Sequence, residues 1–579
     1  MSNTKKYSLL GIVLLFLLVL PMISALTEID SCGTLDIPGE TYILNQSISL
    51  TATCIQINAN GVVLDGNGYD LIGNNGYQRG IWLNGDDNVV IKNFNTIANI
   101  SPHYPDDFIG AIWVRNAENL TIENITFIDN GFYDIKLENV INSTVEDVNI
   151  YSRGGYGLYL HEIVGNGVDD SVFRNIYVEQ IGNETSAAAG DHGIVVQGGS
   201  TGNLFENIEV TGFNSYDYSR GMMIEEGSND TTITNSVFNN NWDGFSMFGG
   251  SKDITITDSV ANDNTEEGFK FFGVCGNDFL TNVSANNNPE RGIAFYDGSC
   301  NAALNDITVT GAAQGLLFSE SGNVTVNGLT AYNNGYAGLR FFDSNYNTVE
   351  NINVTSNSNG VVFDGVAGNT TIFNLNSFNN SFSILNGGSG VYLEYNNSFG
   401  NINFTDDITS SISEDILFGN NESIEIGKNY IYLNSTAIPS LNKSAILTLD
   451  LTGLGITNPI ILKDGIECID CNLISYIGEV ITFNVTGFSN YTIGEPIYKT
   501  EKEEFRDDTI NVFRNLALFI GLLILIAMIS FGIFAYLGKG EEGIDNKFDG
   551  GILIKVVSIA VGVLIMCAVA IFVVYTILS

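Results

Sequence analysis

The chain has few positively charged and few metal-binding side chains, and both shortages limit its function. Only 23 of the 579 residues are lysine or arginine, against 65 aspartates and glutamates, so the formal charge is −42 at pH 7. A nucleic-acid partner is not expected, because phosphate binding needs clustered cations. The pair Cys468 and Cys471 could bind zinc, but no second cysteine pair or histidine lies near it in the sequence. A disulfide is therefore favoured there, and neither a metal nor another cofactor is predicted.

What the chain has is a repeat of about 23 residues. A glycine followed by apolar residues opens each repeat, and an Asn or Asp between alternating apolar residues follows about fourteen residues later. Self-similarity at such a period indicates a solenoid. The glycine phrase is clearest at Gly221, Gly244, Gly268, Gly292, Gly315, Gly338 and Gly360.

The segments between the glycines alternate apolar and polar residues and are rich in Val, Ile, Phe and Thr, as in the segment from Val349 to Val354. The helical spacing of a leucine-rich repeat is absent, and the pattern is typical of short strands. We therefore predict an all-β fold with a parallel β-helix of about thirteen coils over residues 26–400. Its core should contain the column Phe295, Phe318, Phe341 and Phe363.

The recurring Asn or Asp is predicted to point inward and to form a hydrogen-bonded ladder between coils, since an unpaired buried amide costs about 1–3 kcal/mol. A line of metal ligands is the alternative, but Asn dominates and carries no charge. Asn124 and Asn282 lie in glycosylation motifs and, as inward residues, should stay unmodified. The ladder comprises Asn93, Asn124, Asp147, Asn175, Asn207, Asn235, Asp258, Asn282, Asp306, Asn351 and Asn374.

These coils, with the phrase Val-Leu-Asp-Gly-Asn-Gly at 63–68, resemble the right-handed parallel β-helix of the pectin-lyase-like superfamily. The resemblance covers about 32–400 and is strongest to copper-binding β-helix proteins of nitrous oxide reductase maturation and to archaeal membrane-anchored surface proteins. It implies the fold but not the function, because members include lyases, hydrolases, epimerases and plain surface proteins. No copper role carries over, since the chain has three histidines and no methionine cluster.

The chain ends predict export and anchoring. The first 25 residues read as a signal peptide, and two apolar runs near the C-terminus exceed the length of about 20 residues that spans a bilayer. The ectodomain should therefore be extracellular on a cell membrane, and many glycosylation motifs suit such a glycoprotein. The predicted segments are 1–25 signal peptide, 401–496 β-sandwich spacer, 497–512 charged stalk, 513–537 and 552–578 transmembrane helices, and 538–551 cytoplasmic connector.

The cysteines fit an exported protein, because six of the seven can pair locally. Cys275 and Cys300 occupy nearly the same place on neighbouring coils, which predicts a disulfide between coils. The other predicted disulfides are Cys32 with Cys54 and Cys468 with Cys471, and Cys567 is left in an apolar run.

Candidate site residues lie just before the glycines, where loops lengthen the early coils. Asp191-His192-Gly193 resembles the Gly-His-Gly phrase of polygalacturonase-type hydrolases, although its first glycine is an aspartate. Solvated turn residues are the favoured interpretation of the whole set. Catalytic candidates are His192, Arg220, Asp243 and Glu267; binding candidates are His103, Asp106, Asp107, Asp191, Tyr216, Asp217, Tyr218 and Arg291.

Two functions fit this sequence. The first is a membrane-anchored surface β-helix that binds a polysaccharide or a surface glycoprotein, or that builds the envelope. The second is a carbohydrate-active enzyme, a polysaccharide lyase or a glycoside hydrolase, in which carboxylates act as acid and base. The enzyme hypothesis requires Arg220, Asp243 and Glu267 to line a common groove.

Overall fold

The computed structural model describes residues 26–496, except 51, 75, 77–78, 101–109, 163–166, 183–190, 216–217 and 420, and also 514–526, 528, 529, 562, 565 and 569. The chain divides into two compact units, Met1–Glu495 and Pro496–Ser579.

Fifteen parallel strands, which contain the glycine phrases, form one wall of the first unit; we call this wall the glycine-led sheet. Its strands are Gly33–Leu35, Ile55–Ile57, Ile81–Asn84, Ile112–Glu118, Tyr133–Ile141, Tyr156–His161, His192–Val196, Arg220–Ile224, Asp243–Met247, Glu267–Phe272, Arg291–Tyr296, Gln314–Ser319, Ala337–Phe342, Asn359–Asp364 and Phe382–Asn386.

A 24-stranded long sheet forms the other wall and continues into the C-terminal part of the unit. Its strands are Leu26–Ile29, Thr41–Leu44, Ile48–Ser49, Val63–Asp65, Asp70–Ile72, Val90–Lys92, Thr96–Ala98, Thr121–Ile128, Thr144–Ser152, Val172–Gln180, Leu204–Thr211, Thr232–Thr234, Val237–Asn239, Thr255–Thr257, Phe279–Asn286, Ala303–Thr310, Thr325–Tyr332, Thr348–Thr355, Thr370–Phe378, Val391–Asn397, Gly400–Phe404, Ala445–Asp450, Asn472–Ile477 and Val480–Val485.

The two walls form a β-solenoid of about fifteen turns, because each strand of the glycine-led sheet begins a new coil. The predicted thirteen coils are too few, since the first coils, such as Gly33–Leu35 and Ile55–Ile57, lack the full glycine phrase. The predicted phenylalanine column is confirmed: Phe295, Phe318 and Phe341 stack at ring-centroid distances of 5.3 and 5.4 Å, fully buried.

The Asn and Asp ladder forms between coils, but it does not lie in the interior as predicted. Asn124 and Asn282 have φ of 53°, and each donates to the residue one coil below: Asn124 to Asn93 at 2.9 Å and Asn282 to Asp258 at 2.7 Å. Both are exposed. The bend between two strands requires positive φ, which Asn and Asp tolerate best, and this conformation turns their side chains outward. The structural reason for expecting Asn124 and Asn282 to stay unmodified therefore no longer holds.

A second series of asparagines, which the sequence analysis missed, is buried. The Asn288 amide oxygen accepts the backbone N–H of Asn264 at 3.0 Å, and its amide nitrogen donates to the Ala261 carbonyl at 2.9 Å. These side chains satisfy the backbone where it turns into the glycine-led strand. The residues that share this role lie three or four positions before a glycine: Asn241, Asn264, Asn288, Asn334 and Asn357.

All three predicted disulfides are confirmed, with Cα–Cα distances of 4.4 Å for Cys32–Cys54, 4.5 Å for Cys275–Cys300 and 5.4 Å for Cys468–Cys471. The middle pair joins two adjacent coils, as expected from its place in the repeat.

Residues 400–494 are antiparallel. Gly400–Phe404 pairs with Val391–Asn397 and with Ala445–Asp450, so the long sheet runs from the solenoid into this region without a break. A separate β-sandwich is therefore not confirmed. A second, five-stranded sheet packs here together with a short 3-10 helix; its strands are Ile424–Gly427, Tyr430–Leu433, Ile460–Lys463, Ile466–Glu467 and Asn490–Gly494, and the helix is Pro439–Leu441.

In the second unit, residues 514–526 are helical. Within the described part of the chain, no helix is long and apolar enough to cross a membrane. The predicted signal peptide 1–25, stalk 497–512 and connector 538–551, and most of the runs 513–537 and 552–578, lie outside the described residues.

Candidate functional site

The glycine phrase presents three side chains of each strand on the outward face of the glycine-led sheet. In Arg291–Tyr296 these are the first, fourth and sixth residues, whereas Ile293 and Phe295 fill the core. Gly292 faces inward, where a Cβ would lie 2.7 Å from the Gly315 carbonyl oxygen. Glycine is thus required by close packing between coils, and it fixes which residues face outward.

The predicted column of residues before the glycines is stacked in register, with His192 beside Arg220, Arg220 beside Asp243, and Glu267 beside Arg291. The interpretation as solvated turn residues is wrong for three of them, because His192, Asp243 and Glu267 are only 5, 1 and 2 % exposed. Buried ionisable groups need partners, and here the partners come from neighbouring coils.

Arg220, Asp243, Glu267, Lys270 and Arg291 form an ion network, which we call the carboxylate cluster. The Lys270 ammonium donates to Glu267 at 3.0 Å and to Asp243 at 3.3 Å, so it bridges the two acids. Arg291 donates to Glu267 at 2.7 Å, and the Arg220 Nε lies 3.7 Å from an Asp243 oxygen. The structure therefore brings together four of the sequence candidates and adds Lys270, which the sequence analysis missed.

The two acids of the cluster differ in protonation. Burial raises the pKa of Asp243 to about 7 despite the opposing attraction of Lys270. Burial acts in the same direction on Glu267, but attraction to Lys270 and hydrogen bonds with Asp243, Lys270 and Tyr296 outweigh it and lower the pKa of Glu267 to about 2. The pair therefore shares one proton below neutral pH, and Asp243 holds it.

This pair does not have the geometry of a glycoside hydrolase. Catalytic carboxyl groups of retaining and inverting enzymes stand about 5–9 Å apart with substrate between them. Here the two carboxyl groups are almost fully buried, and the Lys270 ammonium bridges them at 3.3 and 3.0 Å. Asp243 and Glu267 thus lie beneath the surface and support the cations of the cluster.

Above the cluster, the sixth residues of three successive coils form an aromatic row. The rings of Phe248 and Phe272 lie 6.1 Å apart and those of Phe272 and Tyr296 6.3 Å apart. Phe272 is 41 % exposed. The Arg220 guanidinium lies 4.7 Å from the Phe248 ring and that of Arg291 5.5 Å from the Tyr296 ring. The candidates predicted from the sequence lie at the position before each glycine and in the early loops, so the sixth position is not among them.

Both arginines have unused donors. Among the described residues, the buried Nε atoms of Arg220 and Arg291 have no hydrogen-bond partner. Arg220 is held by its NH1 group, which donates to the Tyr218 carbonyl at 3.0 Å. Because both Nε atoms are buried, a ligand carboxylate would meet these arginines at the exposed parts of their guanidinium groups, beside the rings.

The early coils carry a second group of aromatic and charged residues on the same face. Glu138 accepts hydrogen bonds from Trp113 at 2.7 Å and Arg115 at 2.9 Å, and it pairs with Lys136 at 3.1 Å. The Lys136 ammonium also lies 4.6 Å from the centre of the Tyr133 ring. The face therefore combines rings and cations along several coils.

His192 is neutral, because burial and, less strongly, Arg220 lower its pKa to about 3. Its Nδ1 accepts the Arg220 backbone N–H at 3.1 Å, and its ring stacks on Tyr156. Asp191 is buried and accepts from the Gly155 N–H at 2.7 Å and from Gln180 at 2.9 Å, which gives it a structural role. Tyr218 is 68 % exposed. The other binding candidates, His103, Asp106, Asp107, Tyr216 and Asp217, lie outside the described residues.

Two family models match the solenoid. The one described as "Right handed beta helix region" covers residues 42–179, and "Periplasmic copper-binding protein (NosD)" covers residues 211–402. The chain therefore contains a right-handed β-helix. The comparison with curated protein sequences finds no match.

Copper does not fit the matched part of this β-helix. Copper prefers imidazole, thiolate and thioether ligands. Residues 211–402 contain no histidine, their two cysteines form a disulfide, and the Met223 sulfur receives the Arg220 guanidinium at 3.6 Å. We therefore derive no copper chemistry for this chain.

Solved structures with a similar β-helix act on or bind polysaccharides, as their descriptions state. The A-module of Azotobacter vinelandii mannuronan C-5 epimerase AlgE4 is 15 % identical, with 62 % of this chain and 90 % of that chain covered and a TM-score of 0.35. The tailspike protein of E. coli bacteriophage HK620, in complex with a hexasaccharide, is 9 % identical, with 80 % of this chain and 87 % of that chain covered and a TM-score of 0.38. The alginate lyase from Paenibacillus is 16 % identical, with 53 % of this chain and 99 % of that chain covered and a TM-score of 0.31. Identities and TM-scores this low do not indicate the function of this chain.

Proposed function

We propose that this chain is a membrane-anchored cell-surface protein whose β-helix binds an acidic polysaccharide along the outward face of the glycine-led sheet. The observation that carries the proposal is where the scarce cations lie. Residues 26–400 contain eleven lysines and arginines. Four of these, Lys92, Arg153, Arg174 and Lys252, lie elsewhere, and seven lie on this face: Arg79, Arg115, Lys136, Arg220, Lys270, Arg291 and Arg340.

The neighbouring side chains suit a sugar polymer. Exposed rings such as Phe272 offer a flat apolar surface for the C–H face of a sugar, and the arginines beside them offer planar donors for a uronate. Coils repeat every 4.8 Å or so, which presents similar side chains at regular steps to a ligand that is itself a repeat. A partner such as a surface glycoprotein would be recognised through its glycan by the same groups.

The proposed anchor is supported by the sequence runs 513–537 and 552–578. If both cross the bilayer, protease treatment of intact cells removes the β-helix and spares the connector 538–551. Cleavage of the connector in intact cells would contradict this topology and leave the binding face untouched.

The binding proposal is tested with the full chain in detergent by affinity electrophoresis in gels containing polygalacturonate, dextran or no polymer. We expect Phe272→Ala to weaken the retardation about fivefold to tenfold, since one aromatic contact contributes about 1 kcal/mol. The matched control is Phe279→Ala, because Phe279 is 46 % exposed on the long sheet of the same coil. Equal retardation of the two variants, or none in the unmutated chain, would overturn the proposal.

A further inference from the structure

The charge balance of the carboxylate cluster depends on one proton. The cluster and its neighbours Glu266, which lies 3.9 Å from Lys270, and Glu290, which lies 3.9 Å from Arg291, contain three cations and four acids. With every group ionised the net charge is −1, and protonation of Asp243 makes it zero. The groups are Arg220, Lys270 and Arg291 against Asp243, Glu266, Glu267 and Glu290.

The contacts within the cluster show which acid takes that proton. Glu267 has short contacts with Arg291 at 2.7 Å, Tyr296 at 2.8 Å and Lys270 at 3.0 Å, which stabilise its charge. Asp243 has longer contacts: it accepts from the Ser246 hydroxyl at 3.2 Å, from Lys270 at 3.3 Å and from the Glu267 backbone N–H at 3.4 Å, and the Arg220 Nε lies 3.7 Å away. A carboxyl group that is buried but loosely paired is the one that stays protonated.

Arg220 connects this proton to the surface. Its Nε is buried and lies 3.7 Å from an Asp243 oxygen, so the two do not form a hydrogen bond. Its guanidinium lies against Phe248 in the aromatic row. An ionised Asp243 balances the charge of Arg220, whereas a neutral Asp243 leaves that charge unbalanced for another anion at the exposed part of the guanidinium.

We propose that protonation of Asp243 frees Arg220 for a carboxylate of the ligand, so that the face binds an acidic polysaccharide more tightly in mildly acidic than in mildly alkaline solution. This inference rests on the proposed function and adds its regulation. The step transfers only a proton between solvent and Asp243, and no covalent bond of the ligand changes.

The other groups that face Asp243 do not reproduce this behaviour. His192 stays neutral because burial lowers its pKa to about 3, and Tyr296 stays neutral because burial raises its pKa. Lys270 stays charged, since its acid partners outweigh burial and raise its pKa. Glu225 is the remaining titrating neighbour: burial raises its pKa, and it directly follows the strand Arg220–Ile224.

The experiment measures the affinity of the full chain for polygalacturonate and for dextran between pH 5.5 and pH 8.5. We expect the affinity for polygalacturonate to fall about tenfold across this range, the loss expected when one charge-assisted contact is withdrawn, and the affinity for dextran to stay level. Asp243→Asn, which keeps a neutral side chain of the same shape, should hold the acidic-pH affinity throughout. Glu225→Gln is the control and should keep the pH step.

The outcomes separate this inference from the proposed function. A flat profile in the unmutated chain, a step that survives in Asp243→Asn, or a step lost in Glu225→Gln overturns the proton switch while polysaccharide binding stands. If neither polymer binds at any pH, the binding face itself is refuted and the switch with it.

Discussion

At the scale of single residues, Asp243 shows how burial of a carboxyl group on the outer face of a sheet changes its pKa. The sequence identified this residue as a candidate from its place before a glycine. The partner Lys270 lies on the next coil, so the cluster could be recognised only once the register between coils was known. The sequence spacing predicts the column of residues before the glycines, whereas the ion pairs within that column are seen only in the contacts between coils.

The proton on Asp243 should also be visible in stability. Its folded pKa of about 7 exceeds the ordinary value of 3.8, so the folded state binds a proton that the unfolded state has already released. The contribution of Asp243 is therefore fully present below about pH 4 and is lost as pH rises to about 7. We expect the difference in unfolding free energy between the unmutated chain and Asp243→Asn to change in this window, measured by urea unfolding at several pH values.

The comparison of two variants matters because many other acids titrate in the same window. Asp364→Asn is a suitable control: Asp364 pairs with Arg340 at 2.9 Å on the same face, but it is partly exposed. A difference curve for Asp243→Asn that changes no more than that of Asp364→Asn between about pH 4 and pH 7 would contradict the protonated state assigned here.

The buried asparagines should matter more for stability than the exposed ones. Asn288→Ala removes the acceptor of the Asn264 N–H and the donor to the Ala261 carbonyl, and both groups are inside the solenoid. We expect a loss of about 2–4 kcal/mol in unfolding free energy, because two buried backbone groups lose their partners. Asn282→Gly, at an exposed position with positive φ, should cost less than about 1 kcal/mol, and equal losses would refute the distinction.

At the scale of the strand, the repeat made most of the fold predictable. From the glycine phrase we could predict the coils, the inward-facing column of phenylalanines and the disulfide between cysteines on neighbouring coils. The direction of the Asn ladder was predicted wrongly, because simple alternation of sides does not hold at a bend where residues such as Asn124 adopt positive φ. The fourth and sixth residues of each glycine-led strand, such as Lys270 and Tyr296, also face outward. This follows from the same strand geometry, but these positions were not among the predicted site residues.

The glycine of the phrase should tolerate no side chain. In Gly292→Ala the new Cβ would meet the Gly315 carbonyl oxygen at 2.7 Å and Val309 Cγ1 at 3.0 Å, so two adjacent coils would have to separate. We expect a cost of about 1–3 kcal/mol, as for other overpacked sites, measured by thermal or urea unfolding. Gly33→Ala is the control, because nothing lies within 4 Å of its added Cβ; similar stability of the two variants would show that packing does not explain the phrase.

At the scale of the whole β-helix, the face is a series of contacts spaced by the coils. Arg220 and Arg291 lie three coils apart, which is about 14 Å at 4.8 Å per coil. One uronate residue can reach only one of these arginines, whereas a longer chain can occupy both and the rings between them. Affinity should therefore depend on the length of the ligand.

The expected dependence is steep at first and then levels off. Linking two weak contacts in one ligand raises affinity by about a hundredfold or more when the spacing fits. Monomeric galacturonate should thus bind far more weakly than oligomers long enough to span three coils, and Arg291→Gln should remove most of the gain, while a monomer can still bind at Arg220. Calorimetric titration with oligogalacturonides of increasing length measures this, with Phe279→Ala as the matched control. Monomers that bind as tightly as long oligomers would show that the protein uses a single pocket and does not read the polymer along its coils.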